Sequence, residues 1–158
     1  MNPVKIVTYE DKYRDCFKSL NVEWLSDMFV VEPYDLSVLS DPEKYILSGG
    51  GNIWMALNGD NEVIGTCALM EHEKGYFELT KMAVSSKARG LGAGRKLLKF
   101  LIKESYKIDC KSLFLLTNTK CESAIHLYLQ EGFVYDQQIR EKYGASYERC
   151  NVGMVHKL

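Results

Sequence analysis

Residues 88–101 read ARGLGAGRKLLKFL, three glycines in five positions running straight into leucines at helical spacing. Glycine inside a regular element costs about 0.5–1 kcal/mol relative to alanine, so keeping Gly90, Gly92 and Gly94 implies a need for bare backbone. Close approach by an anion is that need. The first amides of a helix have no partner within it, and the helix dipole concentrates positive charge at the same end, so phosphate oxygens bind there. Arg89, Arg95 and Lys96 place cationic groups on either side of the loop. A flexible turn opening an ordinary helix would look similar over so short a stretch, so the neighbouring elements have to decide.

Periodicity and turn chemistry define those elements. A short strand is expected at 3–9, then a helix over 11–29 with Phe17, Leu20, Trp24, Leu25 and Met28 on one face. The stretch 30–51 contains Pro33, Pro42 and glycines at 49–51. It reads as an irregular connection holding a short helix that starts after Asp41. NIWMAL (52–57), the turn Asn58-Gly59-Asp60 and EVIGTCALM (62–70) form a hairpin signal. After a turn near Lys74-Gly75, YFELTKMAV (76–84) supplies a third strand that feeds into the glycine loop. Leu97, Leu98, Leu101 and Ile102 then mark a helix face, and SLFLLT (112–117) is apolar enough to be a central strand covered on both faces. Residues 121–131 form a second helix, with Ala124, Ile125, Tyr128 and Leu129 on one face and Gly132 ending it. FVYD and SYERCNVGMV read as a closing antiparallel pair. The expected order is β-α-α-β-β-β-α-β-α-β-β, an α/β (α+β) arrangement, with no repeat or linker in the 158 residues, hence a single domain over 1–158.

Composition narrows the partners. Apolar residues make up 46% and charged residues 26%, and the net charge is −1, without the basic excess that nucleic-acid binding demands. Cys16, Cys67, Cys110, Cys121 and Cys150 are odd in number and include no C-x-x-C pair, so neither a disulfide framework nor a zinc site is expected. His72, His126 and His156 are scattered, lack metal-ligand spacing, and are expected at solvent or interface positions. No basic leader precedes an apolar run, and no membrane-length apolar segment occurs, so a reducing, cytoplasmic setting without membrane contact is expected.

Spacing separates the possible phosphate loops. A Walker A loop needs G-x-x-x-x-G-K-[ST]; counted from Gly90, Arg95 stands where the second glycine belongs and Leu97 follows Lys96 in place of a hydroxyl. The dinucleotide fingerprint also needs glycine at 95, and it comes after the first strand of a parallel βαβ unit rather than a run of hairpins. R-x-x-G-x-G is satisfied by Arg89, Gly92 and Gly94, directly after ELTKMAV and ahead of LFLLTN and then AIHLYLQEGF. With these three motifs in order over residues 76–133, the chain resembles the GNAT superfamily of acetyl-CoA-dependent N-acetyltransferases. That resemblance implies a mixed, mostly antiparallel sheet flanked by helices. Residues 1–57 fit the element order but carry no motif of equal strength.

The resemblance also implies roles for single residues. The backbone of Arg89, Gly90, Leu91, Gly92, Ala93 and Gly94 would hold the pyrophosphate of coenzyme A. That of Met82, Ala83 and Val84 would meet the pantetheine arm and the thioester carbonyl, where an N–H stabilises oxyanion character. Tyr128 matches the tyrosine that protonates the departing thiolate, a proton donor at neutral pH since a phenol titrates near ~10; its alternative is a half-buried core tyrosine bonded to a carbonyl. Asn118 would touch the cofactor arm or cap the next helix. Glu78, at the same strand parity as Met82 and Val84, resembles the glutamate some members use as base, and it could instead face solvent or pair with Lys81. Glu23, Glu32 and Asp35 fall where the acceptor pocket is shaped and could attract a cation. The implied reaction is direct acetyl transfer to a primary amine on a small molecule or protein, without metal, by a monomer or homodimer. A non-catalytic acyl-CoA sensor is the alternative.

Overall fold

The computed structural model describes residues 3–88 and 90–156. Seven strands form one sheet: β1 (Lys5–Thr8), β2 (Asn52–Leu57), β3 (Val63–Glu73), β4 (Tyr76–Val84), β5 (Ser112–Thr117), β6 (Phe133–Tyr135) and β7 (Val152–His156). Their spatial order is β1-β2-β3-β4-β5-β7-β6, and only β4 and β5 run parallel. This is the mixed, mostly antiparallel sheet flanked by helices that the sequence implies.

Five α-helices cover the two faces: α1 (Arg14–Met28), α2 (Pro33–Ser40), α3 (Ala93–Lys107), α4 (Glu122–Gln130) and α5 (Gln137–Tyr143). Alternation along the strands divides the core. Trp54, Ala56, Cys67, Leu69, Phe77, Leu79, Leu113 and Leu115 face Leu97, Leu98 and Leu101 of α3. Ile53, Met55, Ala68 and Met70 face Phe17 of α1 and Val38 and Leu39 of α2. Period-2 strands meeting period-3.6 helices on both sides bury both apolar sets.

Three local features depart from expectation. The segments 133–136 and 146–155 do supply an antiparallel pair, β6 and β7, but α5 intervenes. It begins where the Asp136 carboxylate accepts from the amides of Gln138 and Ile139, and it buries no residue, so it has no apolar stripe to announce it. The first helix after α1 begins at Pro33 rather than after Asp41. Glu32 and Asp35 form a reciprocal capping box there, and Glu43–Leu47 make only a π-helical turn. On α4, Ile125 is buried but Leu129 is 43% exposed and lies off the apolar face.

A fourth departure, inside β4, bears directly on side-chain direction. Thr66 stands opposite Ala83 and Ala68 opposite Thr80, so two residues, Lys81 and Met82, face Cys67 alone. Lys81 adopts φ +51°, the left-handed region that a β-bulge can require. The extra residue flips the side-chain alternation. Phe77, Leu79, Met82 and Val84 all pack on the α3 side, whereas Glu78 and Lys81 project to the other. Glu78 therefore does not share a face with Met82 and Val84 as simple parity predicts.

Candidate active site

β4 and β5 pair only from Tyr76↔Ser112 to Leu79↔Leu115. Beyond Leu79, β4 continues to Val84 bound to β3 alone, while β5 turns toward β7 and ends at Thr117 opposite Val152. The two parallel strands thus splay, and among the described residues no strand pairs with the β5-facing edge of Thr80–Val84. A cavity of about 70 Å³ occupies the wedge, walled by Glu78, Lys81, Met82, Tyr128, Tyr147 and Arg149 among others. A second, more open cleft continues past Met82, Ala83 and Val84 toward the start of α4 at Cys121–Ala124. Trp24, Met82, Cys121 and Tyr128 line both, so Trp24 and Met28 of α1 serve the clefts rather than the deep core.

At the end of β4 the glycine loop leads into α3. Gly90 and Gly92 have φ values of +87° and +73°, and a Cβ placed on either would meet nothing within 4 Å. The fold therefore fixes their conformation while leaving space beside them. Among the described residues no side chain caps α3, whose N-cap is Gly92 itself. Ala93 is buried beneath the first turn, Leu91 is exposed, and Gly94 sits over Met82 and Val84. Uncapped amides beside open space are what an anion needs. Arg89 lies outside the described residues. Arg95 and Lys96 point elsewhere: Arg95 donates to Glu131 at 2.6 Å and to Gln130, and Lys96 donates to the Val4 carbonyl. Neither reaches round the loop, so neither side chain brings its charge there.

Tyr128 occupies the junction of the two clefts. Its ring packs edge-on against Phe133, burial pushes its phenol well above the usual range, and its hydroxyl has no hydrogen-bond partner among the described residues. The carbonyl bond expected of a purely packing tyrosine is therefore not made. Asn118, at the end of β5, lines the inner cavity with its amide group engaged: it donates to the Arg149 carbonyl at 2.5 Å and accepts from the Lys120 amide at 2.8 Å.

The remaining walls come from distant parts of the chain. Lys81, whose side chain is 3% exposed, donates to Asp35 Oδ1 and to the Tyr147 hydroxyl, each at 2.8 Å. Arg149 grips the same carboxylate with two bonds, at 2.6 and 2.8 Å, and Glu32 at 3.1 Å. Burial alone would raise Asp35, but the bonds from Arg149 and the Lys81 charge prevail and hold its carboxyl below the usual range. Burial pushes the Lys81 ammonium down against the pull of Asp35, and it raises the Tyr147 phenol, helped by the charges of Glu78 and Asp35. Two carboxylates and two cations thus neutralise one another, so Glu32 and Asp35 are not free to attract a cationic acceptor. Glu23 is remote from this wall, accepting from the Ser86 amide at 3.3 Å. Glu78, 5% exposed, pairs not with Lys81 but with His72, at 2.8 Å, and that histidine lies at an exposed position. Burial lifts the Cys150 thiol to about 12. Among the described residues no group of three His, Cys, Asp or Glu side chains is arranged to hold a metal, and no helix is long and apolar enough to cross a membrane.

Spacing alone singles out none of Tyr147, Arg149, Lys81 and His72. The available signal is weak: a lysine inside an otherwise apolar strand, and an Arg-bearing segment just before the last one.

A family model described as the acetyltransferase (GNAT) domain matches residues 49–135. Among solved structures, the chain is similar to a GNAT-family acetyltransferase from Staphylococcus aureus Mu50, with a TM-score of 0.86 at 23% identity over 98% of each chain. It is also similar to a spermidine N-acetyltransferase chimera from Vibrio cholerae and a second protein, with a TM-score of 0.73 at 20% identity over 97% of this chain and 94% of that one. A Bacillus subtilis acetyltransferase in complex with CoA gives a TM-score of 0.73 at 19% identity over 99% of both.

Proposed function

The chain belongs to the GNAT acetyltransferase family, and from that premise we propose that residues 1–158 act as one N-acetyltransferase domain, moving an acetyl group from acetyl-CoA to a primary amine within a ternary complex. The observation that carries this reading is the splay of β4 from β5, which leaves a strand edge and an unpartnered Tyr128 hydroxyl where two clefts meet. One cleft runs from that point along Met82–Val84 and the start of α4, and the other reaches Glu78.

In this reading the amides of Gly90, Leu91, Gly92, Ala93 and Gly94, together with Arg89, hold the pyrophosphate of coenzyme A. The edge formed by Met82, Ala83 and Val84 lies along its pantetheine arm. Acetyl-CoA supplies the acetyl group as a thioester. An N–H of that edge, aimed at the thioester oxygen, stabilises the charge that develops there, an effect worth about 3–4 kcal/mol where it has been measured by deletion. Tyr128 gives its proton to the leaving thiolate. Its raised phenol keeps that proton at neutral pH, so the donor is still loaded when the sulfur departs. Glu78 takes the proton of the incoming ammonium, and Asn118 borders the arm while tying β5 to the loop before β7. Because the Lys81–Asp35–Arg149–Glu32 wall is already neutral, the acceptor is a compact monoamine rather than a polycation, small molecule or protein terminus, and Glu78 supplies the single anionic contact. Neither metal nor covalent intermediate is needed, and the domain works as a monomer or homodimer. The five unbridged cysteines support a reducing, cytoplasmic setting.

The test is release of free coenzyme A thiol from acetyl-CoA in the presence of a panel of primary amines. Amine-dependent release, strongest with small monoamines, is expected. Tight coenzyme A binding with no release against any amine would overturn the reading in favour of a non-catalytic acyl-CoA sensor.

A further inference from the structure

The acceptor half contains one titratable side chain that the transfer reaction leaves without a task, His72 of β3. Glu71 stands opposite Phe77 and Glu73 opposite Tyr76, so His72 is an extra residue with no partner in the register. A bulge of this kind releases a side chain from the pleat and re-aims it. The ring is turned onto Glu78, with Nε2 2.8 Å from Oε1. Its centre lies 5.5 Å from that of Phe114 and 5.1 Å from that of Tyr143, and those two rings stack at 4.3 Å, so α5 closes over the pair. The carboxylate is inside, 6% exposed, and the imidazole, 23% exposed, stands between it and solvent. Among the described residues nothing bonds the second carboxylate oxygen, Oε2.

Building on the acetyl-transfer reading, we propose that His72 is a positioning residue for the base: its Nε2–H donates to Glu78 Oε1, occupies that oxygen, and presents Oε2 as the one basic atom facing the acceptor. The step it serves balances simply. Oε2 takes one proton from the acceptor's ammonium, the freed lone pair forms the N–C bond as the C–S bond breaks, the sulfur takes the Tyr128 proton, and the acylated nitrogen gives its remaining excess proton to the tyrosinate. A carboxylate pinned by one bond keeps its alignment, whereas an unpinned one samples orientations in which the proton is out of reach. The other groups facing the pair are Glu73 and Lys142, themselves joined at 2.8 Å, and the Tyr143 phenol. Around Glu78 stand Lys81, Tyr34, Tyr147 and Cys150.

The experiment compares H72F, which keeps an aromatic ring between Phe114 and Tyr143 without a donor, with H72Q, which keeps a donor. H72F should lower kcat about tenfold and leave the KM for acetyl-CoA unchanged, because the carboxylate loses the donor that aligns it. H72Q should stay within about threefold of the unsubstituted protein. Imidazole added to H72A should restore part of the rate. Independently of turnover, nitrogen NMR should place the proton on His72 Nε2, and E78Q should move that nitrogen's resonance. An H72F protein with unaltered kcat, or a His72 Nε2 resonance indifferent to E78Q, would overturn this proposal alone. If the unsubstituted protein releases no thiol with any amine, the transfer reading falls and the base's task with it. The NMR coupling of His72 to Glu78 would survive that result, so the two failures are distinguishable.

Discussion

In the proposed reading the donor side of the cleft, next to the glycine loop, works through main chain: the edge of β4 past Leu79, the left-handed Gly90 and Gly92, and the start of α3. On the opposite side it is side chain, with Asp35 from α2, Lys81 from β4 and Tyr147 and Arg149 from the segment before β7 locked into one buried, neutral cluster. Main-chain recognition suits a ligand that is always the same, because amides cannot be exchanged by mutation. Side-chain recognition suits a ligand that differs between proteins, because every contact can be replaced. The difference implies that the two halves fail in different ways, and substitutions can sharpen or break it.

The largest effect is expected at Asp35. D35N leaves Lys81 and Arg149 buried with half their counter-charge, and breaking a buried ionic cluster in this way costs about 3–5 kcal/mol, to be read from denaturant unfolding. The sign of its pH dependence is fixed by the depressed carboxyl. Stability contributed by Asp35 is present in full above its ordinary titration near ~4 and is lost as pH falls through the lower value of the folded state, so D35N should flatten the acid limb of stability. A D35N protein as stable as its parent would mean that the cluster is decoration rather than scaffold. Next comes the junction. Y128F should lower turnover by about 10²-fold with the dissociation constant for coenzyme A unchanged, measured by steady-state kinetics and calorimetry. Equal turnover would remove the phenol from the chemistry. The smallest effect is expected in the loop. G92A meets no neighbour, so its stability cost is confined to the left-handed backbone, about 1–2 kcal/mol. It should weaken coenzyme A binding while leaving the KM for the amine alone. A change in amine KM without a change in donor affinity would reverse the assignment of the two halves.

The same contrast explains what can be read from the sequence. The donor half is legible because its parts are contiguous: a strand, a glycine loop and a helix share one stretch of chain, and glycines report backbone conformation directly. The hairpin at Asn58-Gly59-Asp60 and the central β5 are legible for similar reasons, turn chemistry in one case and unbroken apolarity in the other. The acceptor half is not. Asp35 and Arg149 meet across 114 positions, and no periodicity relates them. Read singly, Glu32 and Asp35 are surface-type carboxylates, and only the fold reveals that their charge is already answered. The α5 helix escapes a periodicity reading because none of its residues is buried, even though Tyr143 stacks on Phe114, and the face of Glu78 comes out wrong because an alternation rule cannot anticipate an inserted residue. Arg95 and Lys96 show the converse hazard, since proximity in sequence to an anion loop says nothing about where long side chains turn.

That inserted residue, Lys81, makes β4 a strand with two allegiances. Before it, Glu78 addresses the compartment walled by α1 and α2; after it, Met82 and Val84 address the layer of α3. Deleting Lys81 would restore simple alternation, keeping Met82 and Val84 on the face of Phe77 and Leu79 while stripping Asp35 and Tyr147 of their buried cation. A single-codon loss at this point would therefore spare the α3 layer and empty the ionic wall, so the extra length of this strand serves the wall and not the core.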